Sequence, residues 1–499
     1  MSQFDAANNN FRKAVAFVNQ TNSHLFLTGK AGTGKTTFLR YIRDNCFKKT
    51  AIVAPTGVAA INAGGVTIHS FFQLPMGAFL PTGHGNLDTF EGKIFNQNSL
   101  FKNLRLNAAK RELLRELDLL IIDEVSMVRA DTLDAIDAVL RHVRRQPLQP
   151  FGGVQVVYIG DLFQLPPVVR PEEWRLLQQY YKSPFFFDAL VMQQVPPVYI
   201  ELKKIYRQSD ETFIHILNNI RNNCCTSADL QHLHEYYRPA FIPPVNEHYI
   251  TLTSHNDKAD TINRAELNKL SGRLHIFRAV ITGEFNERSY PAEEELQLKS
   301  GAQVMFIKND KGDNRRFYNG KIGIIHSIDE DEQVMISFPG EPELLKLEQE
   351  KWQNIRYVFN KEKDTFEEEE LGTFTQYPIR LAWAITIHKS QGLTFDKAII
   401  DAGASFAPGQ VYVALSRLTG LGGLVLRSRI NPDSIRTDER VLNFVQEELP
   451  DHRLQETLEQ EQQAFIKSTL LKKFDWSKIS ASAEQHFEEY DARKLLNKN

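Results

Sequence analysis

The chain has 499 residues, of which 42% are hydrophobic and 24% are charged. This balance excludes a disordered, collagen-like or coiled-coil protein, and the length corresponds to about three or four domains. The 59 basic and 62 acidic side chains give a net charge of −3, so a polyanionic partner would have to be held in a local groove.

The cysteines and the start of the chain predict a reduced, intracellular protein. Cys46, Cys224 and Cys225 lack the CxxC spacing of a zinc site and predict no disulfide framework. The polar start, MSQFDAANNN, does not resemble a signal or transit peptide, and no apolar run reaches the roughly 20 residues of a membrane helix. We therefore expect a cytoplasmic protein, nucleoid-associated if bacterial, without a membrane partner.

The first part of the chain alternates short apolar runs with helical segments, which predicts a parallel sheet covered by helices. The predicted strands are residues 25–28, 51–54, 119–122 and 154–159. Residues 72–98 are rich in Gly, Pro and Asn and show little periodicity. We interpret them as an inserted element.

A second α/β region is predicted to begin at 198–202 and to resume at 249–253. It is interrupted after about residue 298 by a small antiparallel β module, whose predicted strands are 302–307, 321–328 and 333–338. The four glutamates 367–370 are interpreted as a solvated turn near the end of this module. The α/β sequence returns at about residue 377, and the last fifty residues predict a peripheral helical tail.

The sequence GKAGTGKT follows a predicted strand and precedes a predicted helix, which is the context of a phosphate-binding P-loop. Its backbone N–H groups would surround the phosphates at a helix N-terminus. Lys35 would contact the β- and γ-phosphates, and the Thr36 hydroxyl would ligate Mg²⁺. A Gly-rich turn without a ligand is the alternative. The predicted nucleotide contacts in this loop are Gly29, Ala31, Gly32, Thr33, Gly34, Lys35, Thr36 and Thr37.

Two acids and a glutamine follow the next buried strands. Asp123 and Glu124 stand at the carboxyl end of a predicted strand, where ligands bind in open parallel sheets. Asp123 is expected to hold Mg²⁺, and Glu124 to orient or deprotonate the attacking water. Gln164, in GDLFQLPP, is predicted to sense the γ-phosphate through a neutral hydrogen bond. A solvated turn is the alternative for the two acids.

Two arginines are candidates for neutralising charge in the transition state. Arg207 follows a predicted strand, and Arg417 ends a predicted helix of the second α/β region. Such arginines accelerate hydrolysis of nucleoside triphosphates by about 10³–10⁵-fold. If both come from the second region, the nucleotide lies in a cleft between the two regions. A surface ion pair is the alternative for each arginine.

Six sequence blocks resemble those of the superfamily-one DNA helicases of the Pif-one (petite integration frequency) family. The blocks are GKAGTGKT, APTGVAAINAGGVTIHSFF, LLIIDEVSM, YIGDLFQLPPV, LAWAITIHKSQGLTFD and VYVALSR. Residues 134–155 are similar to that family's own signature element, which favours Pif-one over the related RecD-like helicases. Together the blocks span most of the chain.

The resemblance implies two RecA-like parallel-sheet motor domains that use ATP and Mg²⁺ to move 5′ to 3′ on single-stranded DNA and to unwind duplex. The first domain would comprise residues 1–71 and 99–197, and the second residues 198–298 and 378–430. A wedge insertion would occupy 72–98, an SH-three-like β-barrel 299–377, and a helical tail 431–499. Roles in replication, repair, recombination and telomere-type maintenance follow from the resemblance, as do G-quadruplex and RNA–DNA hybrid substrates.

The resemblance also assigns DNA contacts. Hydroxyl and N–H groups bind phosphates, while His and Phe rings stack on bases, which is worth about 1–3 kcal/mol per base. A structural role is the alternative for each histidine, and a place in the core for Phe71. Gly392 is assigned to the nucleotide, and Asn9 and Asn10 lie where the family has an adenine-reading glutamine. The assigned DNA contacts are Pro55, Thr56, His69, Phe71, Thr253, His255, Thr386 and His388.

A helix is predicted over 134–146, with Arg141, Arg144 and Arg145 largely outside its apolar stripe. Phosphate contact and solvation are equally open for these arginines. For the whole chain, a DNA helicase is the leading hypothesis. An ATP-gated single-strand-binding ATPase is the alternative, and a P-loop kinase is disfavoured because it needs no second α/β region. A monomer is expected, since no heptad or self-complementary patch is visible.

Overall fold

A computed structural model describes residues 8–30, 32–81, 94–204, 210–244, 247–310, 316–401, 409–446 and 448–474, together with residues 483 and 486. The α-helices are α1 (Asn9–Gln20), α2 (Lys35–Asn45), α3 (Gly57–Ala63), α4 (Ile68–Phe72), α5 (Gln97–Asn103), α6 (Ala108–Glu116), α7 (Ala130–Arg144), α8 (Pro171–Leu177), α9 (Leu190–Gln194), α10 (Glu211–Arg221), α11 (Ser227–His234), α12 (Asn256–Lys269), α13 (Gln410–Leu415), α14 (Glu439–Val445) and α15 (Asp451–Lys473).

The strands form six sheets within the described ranges. They are β1 (Leu25–Gly29), β2 (Thr50–Ala54), β3 (Val66–Thr67), β4 (Ala78–Leu80), β5 (Ile94–Asn96), β6 (Leu119–Ile122), β7 (Gln155–Ile159), β8 (Val198–Leu202), β9 (Ile250–Thr253), β10 (His275–Arg278), β11 (Val280–Gly283), β12 (Glu295–Leu298), β13 (Gln303–Phe306), β14 (Ile322–Ile328), β15 (Val334–Ser337), β16 (Leu345–Lys346), β17 (Glu350–Asn360), β18 (Thr365–Gln376), β19 (Ile379–Leu381), β20 (Ala384–Thr386), β21 (Ala398–Ile400) and β22 (Leu424–Leu426).

The first large sheet has six parallel strands in the order β3-β2-β6-β7-β1-β8. Four of its strands confirm the predicted ones to within one residue at each end. Their near-continuous apolar sequences suit a sheet that is covered on both faces. Side chains of β1 accordingly alternate between two core clusters, with Phe26 in one and Leu25 and Leu27 in the other.

The second parallel sheet has the order β20-β9-β21-β22. Both of the predicted α/β regions are therefore present. The expectation that the second region begins at 198–202 is wrong. Those residues form β8, the edge strand of the first sheet, with Leu25 opposite Val198. An apolar run of five residues carries no information about its pairing partner, so only the backbone hydrogen bonds decide to which sheet it belongs.

The interrupting β module is antiparallel. Its five-stranded sheet has the order β16-β15-β14-β13-β19 and confirms the three predicted strands, and a turn at 330–331 joins β14 to β15. A separate ribbon of β17 and β18 pairs with β11. Antiparallel pairing also occurs before residue 299, the predicted start of the β-barrel insertion, because β10 pairs with β12.

The glutamates 367–370 lie inside β18 opposite residues 355–358, so their interpretation as a turn is wrong. Basic partners on the facing strand explain why a run of acids is stable there. Arg356 lies 2.8 Å from Glu369, and Lys351 lies 3.1 Å from Glu370. Cross-strand pairs of opposite charge favour such a ribbon by a few tenths of a kcal/mol each, roughly.

The far end of this ribbon packs against the first parallel sheet. Lys49, just before β2, lies 2.9 Å from Glu116 of α6 and 2.5 Å from Asp364 at the ribbon turn. Lys361 lies 2.7 Å from Glu112. The β module, inserted in the second α/β region, is thereby anchored on the first.

The tail is helical, as predicted, but its first half is not peripheral. Leu454 and Leu458 of α15 are buried in the same core cluster as α1. Lys13 of α1 lies 2.7 Å from Asp451, and the Ser23 hydroxyl donates to Glu461 at 2.7 Å. None of the helices in the described ranges is long and apolar enough to cross a bilayer.

The element that resembles the family signature is a helix closed by a tight turn. Asp137 of α7 accepts hydrogen bonds from Arg141 and from the Phe151 N–H, and Arg144 donates to the Gly152 carbonyl. Two of the three arginines thus have structural partners, while Arg145 is exposed. The turn requires Gly152, because its φ is +59° and a Cβ there would lie 2.7 Å from the Leu140 carbonyl oxygen.

We predict that Gly152→Ala lowers the free energy of unfolding by about 1–3 kcal/mol, since it combines a left-handed backbone with a steric clash. The midpoint of chemical denaturation measures this effect. Gly422→Ala is the matched control, because no heavy atom lies within 4 Å of its Cβ position. Equal midpoints for the two variants would contradict the role of the turn.

Candidate nucleotide site between the two parallel sheets

The P-loop lies between β1 and α2 at the carboxyl edge of the first sheet. Gly34 precedes α2 with a φ of +97°, and Gly32 has a φ of +79°. Both angles favour glycine. Gly29 permits close packing, because a Cβ there would lie 2.8 Å from the Leu202 carbonyl oxygen. Ala31 lies outside the described residues.

Lys35 folds back onto its own loop. Its Nζ donates to the carbonyl oxygens of Gly29 and Lys30 at 2.6 and 3.1 Å. Burial lowers the pKa of Lys35, and the charges of Asp161 and Glu124 oppose that change. Thr33 is buried, whereas Thr36 and Thr37 are exposed in the first turn of α2. A helix N-terminus beside a lysine is an arrangement that can bind an anion.

The paired acids follow β6, as predicted. The Asp123 N–H donates to the Val53 carbonyl at 2.9 Å. Glu124 has a φ of +51°, a left-handed conformation that costs about 1–2 kcal/mol for a non-glycine residue. Burial raises the pKa of Asp123 to about 6, and burial together with the charge of Asp123 raises that of Glu124 to about 7. A carboxyl group with such a pKa can accept a proton near neutral pH.

Gln164 meets a side chain from the second sheet. Its Nε2 donates to Asp161 at 3.2 Å, and its Oε1 accepts from Gln391 at 2.9 Å. The Gln391 amide also donates to Glu124 at 3.2 Å. Gln391 was missed in the sequence, although it lies in a quoted block beside Gly392. Gly392 itself is exposed, with a φ of +79°, and its assignment to the nucleotide stays a prediction.

Arg417 is buried two residues after α13, and its role at the nucleotide stays a prediction. It donates to the Val413 carbonyl at 3.0 Å and to the Ser416 hydroxyl at 2.9 Å. Burial lowers the pKa of Arg417, and the negative charges of Glu124 and Asp161 oppose that change. Arg207 lies outside the described residues.

Arg221 at the end of α10 is a second residue that the sequence did not reveal. Its Nη1 donates to Glu201 at 2.7 Å, and its Nη2 lies 3.9 Å from Asp161. A basic residue in the last turn of an apolar-periodic helix usually complements the helix dipole, so the sequence offers no signal for this contact.

Two predicted DNA contacts lie together at the carboxyl edge of the second sheet. β9 and β20 are parallel neighbours, with Thr253 opposite Thr386. His255 and His388 each follow two residues later, and both are exposed. The two threonines are buried, with relative exposures of 1% and 3%. The Thr253 hydroxyl is buried without a hydrogen-bond partner in the described residues. The assignment of Thr253 and Thr386 to the DNA strand stays a prediction.

The predicted contacts of the first α/β region differ in exposure. Thr56 is exposed, and its hydroxyl caps α3 by accepting from the Ala59 N–H at 3.2 Å. Pro55 and His69 are half-buried. Phe71 is 1% exposed, and its ring packs edge-on against Phe72. The expectation that it stacks on a base is therefore wrong, because burial leaves no ring face for the strand.

The adenine position stays a prediction. Asn10 Nδ2 donates to the Glu201 carbonyl at the end of β8, at 2.7 Å, and Asn9 Oδ1 accepts from Arg12 at 3.2 Å. The side-chain nitrogen of Asn10 is thus engaged within the protein.

The chain matches known helicases over most of its length. The family model described as PIF1-like helicase matches residues 5–230. Human ATP-dependent DNA helicase PIF1 is 33% identical over 432 residues, which cover 84% of this chain and 60% of the human protein. Pif1 from Bacteroides sp. in complex with ADP-AlF4 is 40% identical, with a TM-score of 0.78, and the match covers 88% of this chain and 96% of that one.

The chain belongs to the PIF1-like helicase family. A second structure, Bacteroides Pif1 bound to ssDNA, is 39% identical over the same fractions of both chains, with a TM-score of 0.59. This member of the PIF1-like helicases spans about 60% of the length of human PIF1. The two RecA-like parallel sheets expected from the resemblance agree with these matches.

We predict that Glu124→Gln raises the melting temperature of the nucleotide-free protein at alkaline pH. The raised pKa of Glu124 means that its stabilising contribution is present below the ordinary pKa of 4.5 and is lost as pH rises through about 7. Glutamine has no proton to lose, so the advantage of the variant should grow from about pH 5 to about pH 8.5. Thermal unfolding across this range measures it, with Glu330→Gln at an exposed turn as the control. A difference that is constant with pH would contradict the assigned environment.

Proposed function

We propose that this chain is an ATP-dependent DNA helicase that moves 5′ to 3′ along a single strand and separates duplex DNA. The observation that supports this most strongly is the contact across the cleft. Gln391 of the second sheet bonds to both Glu124 and Gln164 of the first. A change at the nucleotide therefore reaches both sheets at once.

The residues of the first sheet fit ATP hydrolysis. Lys35 would exchange its two carbonyl partners for the phosphates, which carry more negative charge. Mg²⁺ prefers oxygen ligands, and the carboxylate of Asp123 and the hydroxyl of Thr36 would hold it. When bound, the ion neutralises charge on the phosphates. Glu124 would take the proton of the attacking water, and Gln164 would contact the γ-phosphate.

The second sheet would supply a residue that closes on the phosphates and residues that contact the DNA strand. Arg417 would approach the phosphates as the cleft closes and neutralise developing charge. The same sheet presents His255 and His388 at its carboxyl edge, where they are available to bases of a single strand. Cleft closure would then move this edge relative to Thr56 and His69 on the first sheet, and so advance the strand.

The described part of the predicted wedge is the small parallel pair β4 and β5. It is joined to the first sheet region through Asp131 of α7, which accepts from the Phe79 N–H at 2.9 Å. We propose that duplex DNA separates against this element. G-quadruplex and RNA–DNA hybrid substrates and a monomeric state remain predictions.

An overhang comparison tests polarity and strand separation. We expect the protein, with ATP and Mg²⁺, to displace a labelled strand from a duplex with a 5′ single-stranded tail and not from one with a 3′ tail. Gel separation of the strands measures displacement. Displacement only with the 3′ tail would reverse the proposed polarity. DNA-stimulated ATP hydrolysis without any displacement would instead indicate an ATP-gated binding protein.

Lys35→Ala and Glu124→Gln should both still bind single-stranded DNA but should unwind nothing, because they remove the phosphate contact and the base. Fluorescence anisotropy measures binding, and the displacement assay measures unwinding. Lys363→Ala, which removes an exposed ion pair within the ribbon, is the control and should unwind at the wild-type rate. Wild-type unwinding by either site variant would refute the assignment of the site.

Arg417→Ala should lower kcat for ATP hydrolysis far more than it changes KM, because its charge is needed mainly in the transition state. We expect a loss of about 10³-fold or more in kcat. Exposed Arg436→Ala provides the comparison, and it should leave both constants unchanged. An effect confined to KM would remove Arg417 from catalysis.

A further inference from the structure

Arg221 connects the two halves of the nucleotide cleft. It is the last residue of α10, and α10 packs against α13, the helix that leads to Arg417. Its side chain is only 5% exposed and reaches the carboxyl edge of the first sheet. There Nη1 donates to Glu201 of β8 at 2.7 Å, and Cζ lies 4.2 Å from the centre of the Phe163 ring.

The contact that matters for chemistry runs through Asp161. Arg221 Nη2 lies 3.9 Å from the Asp161 carboxylate. That carboxylate accepts from the Phe163 N–H and from Gln164 Nε2, each at 3.2 Å. Asp161 therefore orients the amide of Gln164, which leaves the Gln164 oxygen directed at Gln391. The guanidinium beside Asp161 supplies an opposite charge that helps to hold this carboxylate in place.

A purely structural role explains these contacts poorly. Buried charges are costly unless all their donors are satisfied. In the part of the chain that the structure describes, Nε and Nη2 of Arg221 are buried and lack a hydrogen-bond partner. Arg129 shows what a satisfied arginine looks like, since it bonds to Asp131 through two nitrogens and to Glu173 through a third. Arg221 retains donors on the side of the P-loop. Burial lowers the pKa values of Lys30 and Lys35, and the charge of Arg221 lowers them further.

We propose that Arg221 is a positioning residue for ATP hydrolysis. It acts through Asp161 to hold Gln164, and it connects the loop that carries both residues to the helices α10 and α13. The proposal deepens the proposed function and rests on it. Motion of α13, the helix before Arg417, would be transmitted to Gln164 through Arg221. Arg417 and Gln164 would therefore approach the γ-phosphate at the same time.

A double-mutant cycle on DNA-stimulated ATP hydrolysis tests the proposal. The variants are Arg221→Gln, Gln164→Ala and the pair together. We expect Arg221→Gln to lower kcat by about 10- to 100-fold with little change in KM, and to have almost no further effect when Gln164 is already alanine. Arg221→Lys keeps the charge but not the planar fork, and it should recover part of the loss. Arg129→Gln, at a half-buried arginine that also has two acidic partners, should change kcat by less than about twofold.

Amide hydrogen exchange provides a readout that needs no activity. The Phe163 N–H, which donates to Asp161, should exchange faster in both Arg221 variants than in the wild type, and fastest in Arg221→Gln. The exchange rates of the amides in the core strand β6 should not change. Independent, multiplicative kcat losses in the cycle, or unchanged exchange at Phe163, would overturn the proposal. Failure of wild-type strand displacement would overturn the helicase function alone, since neither readout depends on unwinding.

Discussion

The structure depends on a cluster of buried charges held between two sheets. Lys35, Arg221 and Arg417 lie near Glu124, Asp161 and Glu201. Arg221, Arg417 and Asp161 are buried. Taking such groups out of water costs several kcal/mol per ion unless opposite charges compensate. The acids follow or lie in strands of the first sheet, while Arg417 follows α13 of the second α/β region. Opposite charges from both regions therefore compensate one another.

The same charges explain why the site is suited to a ligand that is bound, hydrolysed and released. Lys35 donates to backbone carbonyls, and Glu124 accepts from an amide of the second sheet. These are weaker partners than phosphates and a metal ion would be. Binding then replaces contacts rather than creating them from nothing, and the replaced contacts are those that join the two sheets.

The β module adds a second connection between the halves, far from the nucleotide in sequence. Its ribbon is inserted in the second α/β region but forms ion pairs with Lys49 and Glu112 on the first. Tyr357 of the ribbon is buried with its ring against Phe71. The exposed pair between Lys361 and Glu112 contributes little, about 0–1 kcal/mol. The residue expected to stack on a base instead supports this attachment.

The sequence alone determined the chemistry of the first sheet. Glycines with positive φ, a lysine at a helix start and acids after a buried strand are local patterns, because a strand, its loop and the next helix lie within a few residues of one another. Lys35, Asp123, Glu124 and Gln164 were therefore predictable, as were the parallel strands that carry them.

Only the tertiary structure decided what depends on pairing between distant segments. It placed 198–202 in the first sheet, made a strand of the glutamates 367–370, and buried Phe71, Thr253 and Thr386. It also brought Gln391 into contact with Gln164, which lies 227 residues earlier in the chain. Arg221 likewise contacts Glu201, which lies 20 residues earlier. Hydrogen-bond partners of strands and counter-ions of buried charges are chosen in space, and short apolar or basic patterns are the same whichever partner is chosen.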